Sequence, residues 1–173
     1  MIKHKNQRVG VFVDVQNMYY SAKNLFDAKV DFGAILKDAV SGRMLIRATS
    51  YVIKALETAE EIKFYSALDK QGFEVKIKDL QYFQDGTKKG DWDVGITIDA
   101  IKMSRQLDVV VFVTGDGDFV PAVEYLQYHG LLVEVMGFGE TTNAHLKEIA
   151  DEYTDLSRSK GQFLIAGGNK AKR

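Results

Sequence analysis

The sequence predicts a single α/β domain in which a mostly parallel sheet lies between two layers of helices. Strand-like and helix-like segments alternate along the chain, which is typical of parallel sheets with helical crossovers. Two segments, 9–15 and 109–114, are almost continuously apolar, as expected for strands buried on both faces. A length of 173 residues with 46% hydrophobic residues fits one domain with a sizeable core.

The individual elements follow from apolar periodicity and from start and stop signals. Strands are predicted at 9–15, 46–53, 73–80, 109–114, 131–136 and 153–156. Helices are predicted at 58–71, 119–129 and 142–150, from Asp31 to the glycine at 42, and from Asp91 or Asp93 to 106. Residues 17–28 are predicted to form a helix or a long loop with helical parts. We interpret the polar segment 81–90 as a loop, residues 1–156 as the domain, and residues 157–173 as a flexible tail.

Composition narrows the classes of function. The net charge of -1 means that any contact with nucleic acid depends on a local basic patch. The absence of cysteine excludes disulfides, thiolate metal sites and cysteine nucleophiles, and it suits a reducing compartment. The first ten residues lack the apolar core of a signal peptide, and no stretch is apolar enough to span a membrane. We therefore expect a cytoplasmic protein without a membrane partner.

Acidic residues follow the two most apolar strand segments. The first strand ends at Asp14, with Asn17 three residues later, and the 109–114 strand leads into Gly-Asp-Gly-Asp, which contains Asp116 and Asp118. Ligands of open α/β sheets bind at the carboxyl ends of the strands, where the strand order reverses. If these two strands are neighbours, their acids face one crevice. Asp93 could reach the same crevice from the start of its helix.

Clustered carboxylates repel one another, and a divalent cation removes that penalty. Oxygen ligands without cysteine or a zinc-type histidine motif favour Mg²⁺ or Mn²⁺ as the cofactor. Such an ion can activate water and stabilise charge on a phosphate oxygen. Asn17 adds an amide that could hold a water or a phosphate.

Each acid also has an ordinary structural interpretation. Asp14 could simply end a strand, Asp93 and Asp118 could cap helices, and Gly-Asp-Gly-Asp could be a tight turn. Taken together, the acids at the ends of both buried strands favour a site. Asp99 interrupts an apolar run, so it either supports the crevice from behind or pairs with Lys102 or Arg105.

Four ordered motifs resemble a known family. They read VGVFVDVQNMY, KGDWDVGITIDAI, VVVFVTGDGDFVPAVEYLQYHGLLVEVMGFG and TTNAHLKEIADEYTDL. Together they resemble the NYN domain of the LabA-like family, within the PIN-like ribonuclease superfamily, over residues 8–156. Gly-Asp-Gly-Asp-Phe alone would be weak evidence, but the ordered set is specific.

The resemblance implies a Rossmann-like, three-layer α/β/α fold with strand order 3-2-1-4-5 and a phosphodiesterase site that depends on Mg²⁺ or Mn²⁺. The family's catalytic and metal-binding positions correspond to Asp14, Asn17, Asp93, Asp116 and Asp118, and Thr114 takes a position where serine is commoner. The expected activity is that of an endoribonuclease acting on single-stranded or structured RNA.

Several other residues are candidates for substrate contact. Lys88, Lys89 and Trp92 lie beside Asp91 and Asp93 on a polar segment, and cations next to an aromatic ring suit a phosphate backbone and a stacked base. We group Thr114 with them as a candidate for substrate contact. For Trp92 a half-buried structural role is the favoured alternative. Tyr19 and Tyr20 could line the crevice or pack beneath their helix.

The lysines at 76 and 78 alternate along an edge-like strand, where such residues often only discourage aggregation, and this strand could also pair with a second copy of the chain. Two other functions stay open. The acidic pocket could serve a regulatory module that binds RNA or protein without catalysis. A phosphatase ranks last, because Val15 and Gln16 follow Asp14 where a second acid would be expected.

Overall fold

The computed structural model describes residues 3–54, 58–82, 84–86 and 88–166. Its central sheet consists of six strands, numbered along the chain as Arg8–Asp14 (β1), Met44–Lys54 (β3), Glu74–Asp79 (β4), Val109–Val113 (β7), Leu132–Gly137 (β8) and Glu152–Asp155 (β9). All neighbouring pairs are parallel, and the spatial order is β4-β3-β1-β7-β8-β9. Renumbered within the sheet, this is 3-2-1-4-5-6, which confirms the expected order and adds a sixth strand.

Seven helices accompany the strands in the described part of the chain. They are Val15–Phe26 (α1), Phe32–Val40 (α2), Ala59–Lys70 (α3), Asp93–Met103 (α4), Val120–Tyr128 (α5), Ala144–Ile149 (α6) and Lys160–Phe163 (α7). None of these helices is long and apolar enough to cross a bilayer. The predicted helices of more than one turn are all present, with ends shifted by a few residues.

The sheet separates two hydrophobic cores, which explains the apolar character of β1 and β7. Side chains alternate between the faces of a strand. Val109, Val111 and Val113 therefore pack with buried residues of α1 to α3. Val110 and Phe112 pack with buried residues of α4 to α6. The molecule is thus a three-layer α/β/α structure, as predicted.

The chain leaves β1 toward one edge of the sheet through β3 and β4, and toward the other through β7, β8 and β9. The strand order therefore reverses between β1 and β7. In parallel α/β sheets such a reversal leaves a crevice at the carboxyl ends of the two strands. Asp14 and the turn after β7 lie at this point. β4 is an edge strand, as its alternating sequence predicted, and its pairing with a second chain stays a prediction.

Two predictions of irregular structure were wrong. The segment predicted as a loop contains a short antiparallel hairpin, with Gln81–Tyr82 (β5) paired to Lys88–Lys89 (β6). The expected tail also continues as ordered structure. A 3-10 turn at Leu156–Ser159, α7 and a strand at Leu164–Ala166 (β10) follow, and β10 pairs with Ala28–Val30 (β2).

This closing segment is held by the core, which is the physical reason for its order. Phe163 is only 3% exposed and joins the core beside α1 and α2. Its carbonyl accepts a hydrogen bond from the Asp31 amide at 2.8 Å. Residues 167–173 of the expected tail lie outside the described residues.

Candidate metal centre

The strand ends bring the predicted acids to one edge of the sheet. Asp14 is the last residue of β1 and the N-cap of α1. Its Oδ1 accepts a hydrogen bond from the backbone N–H of Asn17 at 3.1 Å. Asp116 follows β7 and caps the next turn, accepting from the Asp118 amide at 3.0 Å. Asp93 is the first residue of α4. The strand-end interpretation is therefore correct for Asp14 and the turn interpretation for Asp116, and neither excludes a second role. The capping interpretation is wrong for Asp93 and Asp118, because the N-caps of α4 and α5 are Trp92 and Phe119.

Three of the acids form a tight cluster. Asp93, Asp116 and Asp118 each offer a carboxylate oxygen, and these oxygens lie within 4.8 Å of one another. Asp93 and Asp116 are partly buried, whereas Asp118 is exposed. Asp14 lies close enough to Asp93 and Asp116 for their charges to raise its pKa. The structure thus brings together all four acids that the sequence analysis selected.

The site holds more negative charge than its surroundings balance. Burial, together with the charges of Asp93 and Asp116, raises the pKa of Asp14 to about 6. Burial and the neighbouring Asp116, Asp91 and Asp118 raise the pKa of Asp93 to about 6 as well. Within the described residues, none of the four acids in the site forms a salt bridge. The carboxyl groups of Asp14 and Asp93 are therefore easier to protonate than that of an ordinary aspartate.

This arrangement fits a hard divalent cation. Mg²⁺ and Mn²⁺ prefer oxygen ligands, and several carboxylates converging on one point supply them. A bound dication would also stabilise the charged forms of Asp14 and Asp93, whose pKa values are raised by burial and by the neighbouring acids. Asp93, Asp116 and Asp118 are the residues best placed to hold such an ion, with Asp14 beside them.

Neutral side chains fix the geometry between β1 and β7. The Gly115 amide donates to Oδ1 of Asn17 at 2.9 Å, which joins the starts of the two loops. Because its oxygen is used in this way, the NH₂ group of Asn17 is the part that can donate to a ligand. Asn17 also lines the cleft beside Asp14 and Asp116.

Thr114 is placed differently from the prediction of substrate contact. Its side chain is buried, with 1% of the residue exposed. Its hydroxyl accepts from the Asp116 amide at 3.2 Å and lies 3.4 Å from Oδ2 of Asp14, to which it can donate. The hydroxyl of Thr114 is therefore buried against two acids and does not line the cleft, which contradicts the predicted contact with substrate.

Asp99 also differs from the expected partners. It does not pair along its own helix with Lys102 or Arg105. Its Oδ2 instead accepts from the Tyr51 hydroxyl at 2.8 Å and from Lys76 Nζ at 2.6 Å. These contacts hold the pKa of Asp99 below its ordinary value despite the opposing effect of burial.

Trp92 is part of the packing beside the site and also lines the cleft, and its contact with substrate stays a prediction. Its indole Nε1 donates to the Val52 carbonyl at 2.9 Å, and its ring packs edge-on against Tyr51 at 5.2 Å between centroids. The predicted half-buried structural role is therefore present. Trp92 also lines the cleft beside Asp91 and Asp93.

Lys78 is a neighbour of the site that the sequence analysis did not select. Its Nζ donates to the Asp91 carbonyl at 3.1 Å and lies 5.5 Å from the centroid of the Trp92 ring. Its charge partly offsets the rise in the pKa of Asp93. The side chains of Lys88 and Lys89 lie outside the described part of the structure, so their contact with substrate stays a prediction.

The cleft above the acids has a volume of about 310 Å³. Residues of α1 line one side, and the residues that lead into α4 line the other. The lining side chains are those of Asp14, Gln16, Asn17, Tyr20, Ser21, Asn24, Asp91, Trp92, Asp93, Asp116 and Thr141. Most of these side chains carry a polar group, although apolar atoms contribute about as much of the lining surface. A volume near the lower end of the range for ligand pockets suits a small group or a single nucleotide.

The turn that carries Asp116 and Asp118 is closely packed against the loop before α6. The backbone N–H of Asn143 donates a hydrogen bond to the Gly115 carbonyl at 2.9 Å. A Cβ on Gly117 would lie 2.6 Å from Nδ2 of Asn143, so only glycine fits there without displacement. Asn143 is itself held in place, because its Oδ1 accepts from the His145 and Leu146 amides at the start of α6.

Comparison with known proteins identifies the family. The model of the NYN domain matches residues 8–157, which includes every element that carries the acids. The chain belongs to the NYN domain family. This confirms the resemblance drawn from the four motifs.

Relatives of this NYN domain occur in bacteria and archaea. The chain is 26% identical over 160 residues to the low amplitude and bright protein LabA of Synechococcus elongatus, covering 87% of this chain and 84% of that protein. It is 28% identical over 151 residues to an uncharacterized protein of Methanocaldococcus jannaschii. That match covers 83% of this chain and 53% of the archaeal protein, so this chain spans about half of its length.

A solved structure shares the complete fold. It is that of a protein of unknown function from Vibrio parahaemolyticus, which is 33% identical in sequence and has a TM-score of 0.85. The similarity covers 95% of this chain and 100% of the Vibrio chain. This Vibrio protein therefore shares the overall fold of the chain.

Proposed function

We propose that this NYN domain is a metal-dependent ribonuclease that hydrolyses phosphodiester bonds of RNA and uses Mg²⁺ or Mn²⁺. The observation that carries the proposal is the cluster of Asp93, Asp116 and Asp118, whose carboxylate oxygens lie within 4.8 Å of one another beside Asp14. Membership of the NYN family supports a nuclease rather than another use of the same acids.

The acids would hold the ion, and the ion would supply charge stabilisation at the phosphate and activation of water. Asp93, Asp116 and Asp118 are the proposed ligands, with Asp14 bound directly or through water. The rest of the site positions them: Thr114 lies between Asp14 and the Asp116 amide.

The remaining polar groups would act on the substrate. The NH₂ group of Asn17 can donate to the scissile phosphate or to a water near it, because its oxygen is held by Gly115. Lys78 adds positive charge near Asp93, where a phosphate backbone would pass. Lys88 and Lys89 on β6 are further proposed contacts for the phosphate backbone, as the sequence suggested.

The test is cleavage of an end-labelled single-stranded RNA in Mn²⁺ or Mg²⁺, with EDTA as the metal-free control. We expect the wild-type protein to cut, and Asp14→Asn and Asp116→Asn to lose at least a hundredfold in rate, which is the effect of removing one strong charge-stabilising group. Asn can still cap α1 in place of Asp14, so the first variant tests charge rather than folding.

Asp69→Asn is the matched control, because Asp69 is an exposed carboxylate on α3 and does not line the cleft. It should cut like the wild-type protein. Full activity in both site variants, after purification that removes contaminating nuclease, would contradict the proposal. Metal binding without cleavage of several RNAs and single-stranded DNAs would instead favour a regulatory module that uses the same pocket.

A further inference from the structure

One wall of the cleft carries neutral polar and aromatic groups rather than acids. Asn17, Tyr20 and Asn24 follow one another at spacings of three and four residues on α1, which places them on one face of the helix. All three line the cleft that contains Asp14 and Asp116. This wall adds neutral polar and aromatic groups to the acidic cleft, and the proposed hydrolysis uses only Asn17 among them.

Tyr20 has an exposed ring although it belongs to a helix that packs against the sheet. It is 51% exposed, although α1 buries Val15, Met18 and Ala22 against the sheet. Its ring is oriented by Tyr19, which packs edge-on at 5.4 Å between centroids and an angle of 75°. An aromatic ring held in this way at a cleft offers a flat surface to a ligand.

The amides beside Tyr20 are available to a ligand. Gln16 and Asn24 line the cleft, and in the described part of the chain their side chains have no hydrogen-bond partner. Asparagine and glutamine amides each present a donor and an acceptor, which match the edges of nucleobases. Ser21 and Thr141, also in the lining, are hydrogen-bonded to each other at 3.0 Å instead.

We propose that Tyr20 is a stacking platform for one unpaired nucleobase of the strand to be cut, with Gln16 and Asn24 donating to or accepting from its edge. Proteins that recognise single strands commonly stack bases on aromatic side chains and read their exposed edges. The subsite rests on the proposed function, because it holds a strand whose phosphate lies over the acids. It makes single-stranded nucleic acid the substrate class, since a paired base cannot enter the cleft.

The test uses ligands that cannot be cut, so that it is independent of hydrolysis. Trp92 is the only tryptophan of the chain and lines the cleft, so its fluorescence can report binding. We would titrate the full chain in Mg²⁺ with AMP and, as the matched ligand without a base, with ribose 5-phosphate. The proteins are wild type, Tyr20→Phe, Tyr20→Leu and a control, Tyr128→Leu, which removes an 87% exposed tyrosine outside the cleft.

We expect Tyr20→Leu to weaken AMP binding by about tenfold or more, the effect of losing one base-stacking ring. Tyr20→Phe and Tyr128→Leu should bind AMP like the wild type, and ribose 5-phosphate should bind equally to all four proteins. Unchanged AMP binding in Tyr20→Leu, an equal loss for both ligands, or no preference of the wild type for AMP over ribose 5-phosphate would overturn the subsite.

A competition experiment tests the requirement for an unpaired base. A single-stranded RNA should displace AMP, and the same RNA annealed to its complement should do so much less; equal displacement would overturn this requirement. The outcomes also separate the two proposals. If AMP binding depends on Tyr20 but no RNA is cleaved, the subsite is supported and the nuclease proposal is contradicted. If RNA is cleaved but AMP binding does not depend on Tyr20, the nuclease proposal is supported and the subsite is contradicted.

Discussion

The charged side chains near the two ends of the central sheet are balanced in different ways. Near the amino ends of the strands, Arg43 and Glu134 are buried together, with 1% and 5% of their side chains exposed. The guanidinium donates twice, from Nη1 to Oε1 at 2.6 Å and from Nη2 to Oε2 at 2.9 Å. Lys3 lies 3.6 Å from the same glutamate and 2.7 Å from Glu152.

At the carboxyl ends of β1 and β7, the acids form no salt bridge within the part of the chain that the structure describes. Burial of a charge is costly unless it is paired, and the chain pairs Glu134 but leaves Asp14, Asp93 and Asp116 to repel one another. The pKa values of Asp14 and Asp93 are raised because both carboxyl groups are buried and lie beside other acids. A charge that the fold does not balance is a reason to look for a ligand that does.

The largest effect should come from breaking the balanced pair. Arg43→Met leaves Glu134 buried without its partner, and we expect the free energy of unfolding to fall by about 3–5 kcal/mol. Urea unfolding followed by circular dichroism measures this. Arg47→Met is the control, because Arg47 and Glu74 form a pair that is 51% exposed on both sides and should contribute less than about 1 kcal/mol. Equal losses in the two variants would mean that burial does not distinguish the pairs.

A smaller effect on stability should come from adding a divalent cation that neutralises the clustered acids. Mn²⁺ at about a hundred times its dissociation constant should stabilise the wild-type protein by roughly 2.7 kcal/mol, because the ion binds only the folded acids. Thermal unfolding with and without the ion measures this shift. Asp116→Asn should lose most of it, and Asp69→Asn should keep it. A shift of the same size in Asp116→Asn would place the ion elsewhere.

The smallest effect should come from removing one unbalanced charge without metal. The pKa of Asp14 is about 6 in the folded protein against an ordinary 3.8, so the folded state binds this proton more tightly than the unfolded state. The resulting stability is fully present below pH 3.8 and is lost as the pH rises through about 6. Asp14→Asn carries no charge and should therefore be more stable than wild type at pH 7.5 by about 2–3 kcal/mol, at ~1.36 kcal/mol for each pKa unit.

The measurement is urea unfolding in EDTA at pH 4 and pH 7.5. The advantage of Asp14→Asn should almost vanish at pH 4, where the wild-type carboxyl is mostly protonated. An advantage that is the same at both pH values would trace the effect to packing or capping rather than to charge. A wild-type protein that is more stable than the variant at pH 7.5 would contradict the raised pKa.

The sequence predicted the sheet and the meeting of the acids because both depend on strong local signals. The continuous apolar runs of β1 and β7 require burial on both faces, and two such strands in one sheet are most easily central neighbours. Asp14 and Asp116 follow those runs directly. Their convergence is thus a consequence of strand burial and parallel direction, both of which are visible in the sequence.

The missed features depend on register or on very short elements. Lys78 looked like an ordinary edge lysine, and its approach to Asp91 and Trp92 follows from the pairing of β4 with β3, which sequence periodicity does not specify. Asp99 took its partner from that same strand rather than from its own helix. β2 and β10 have three residues each, too few for a detectable pattern, although the apolar Leu156 and Phe163 were a signal that the chain returns to the core.

The contact of Gly117 with Asn143 has a consequence for how a ligand enters the cleft. With no space for even a methyl group between them, the turn carrying Asp116 and Asp118 has little freedom to swing independently of α6. Asp116 and Asp118 are therefore already in position before a ligand arrives, and the turn that carries them does not close over it. Their ordering is completed during folding, so association with an ion loses little additional conformational entropy, and the incoming strand is the partner that has to adapt.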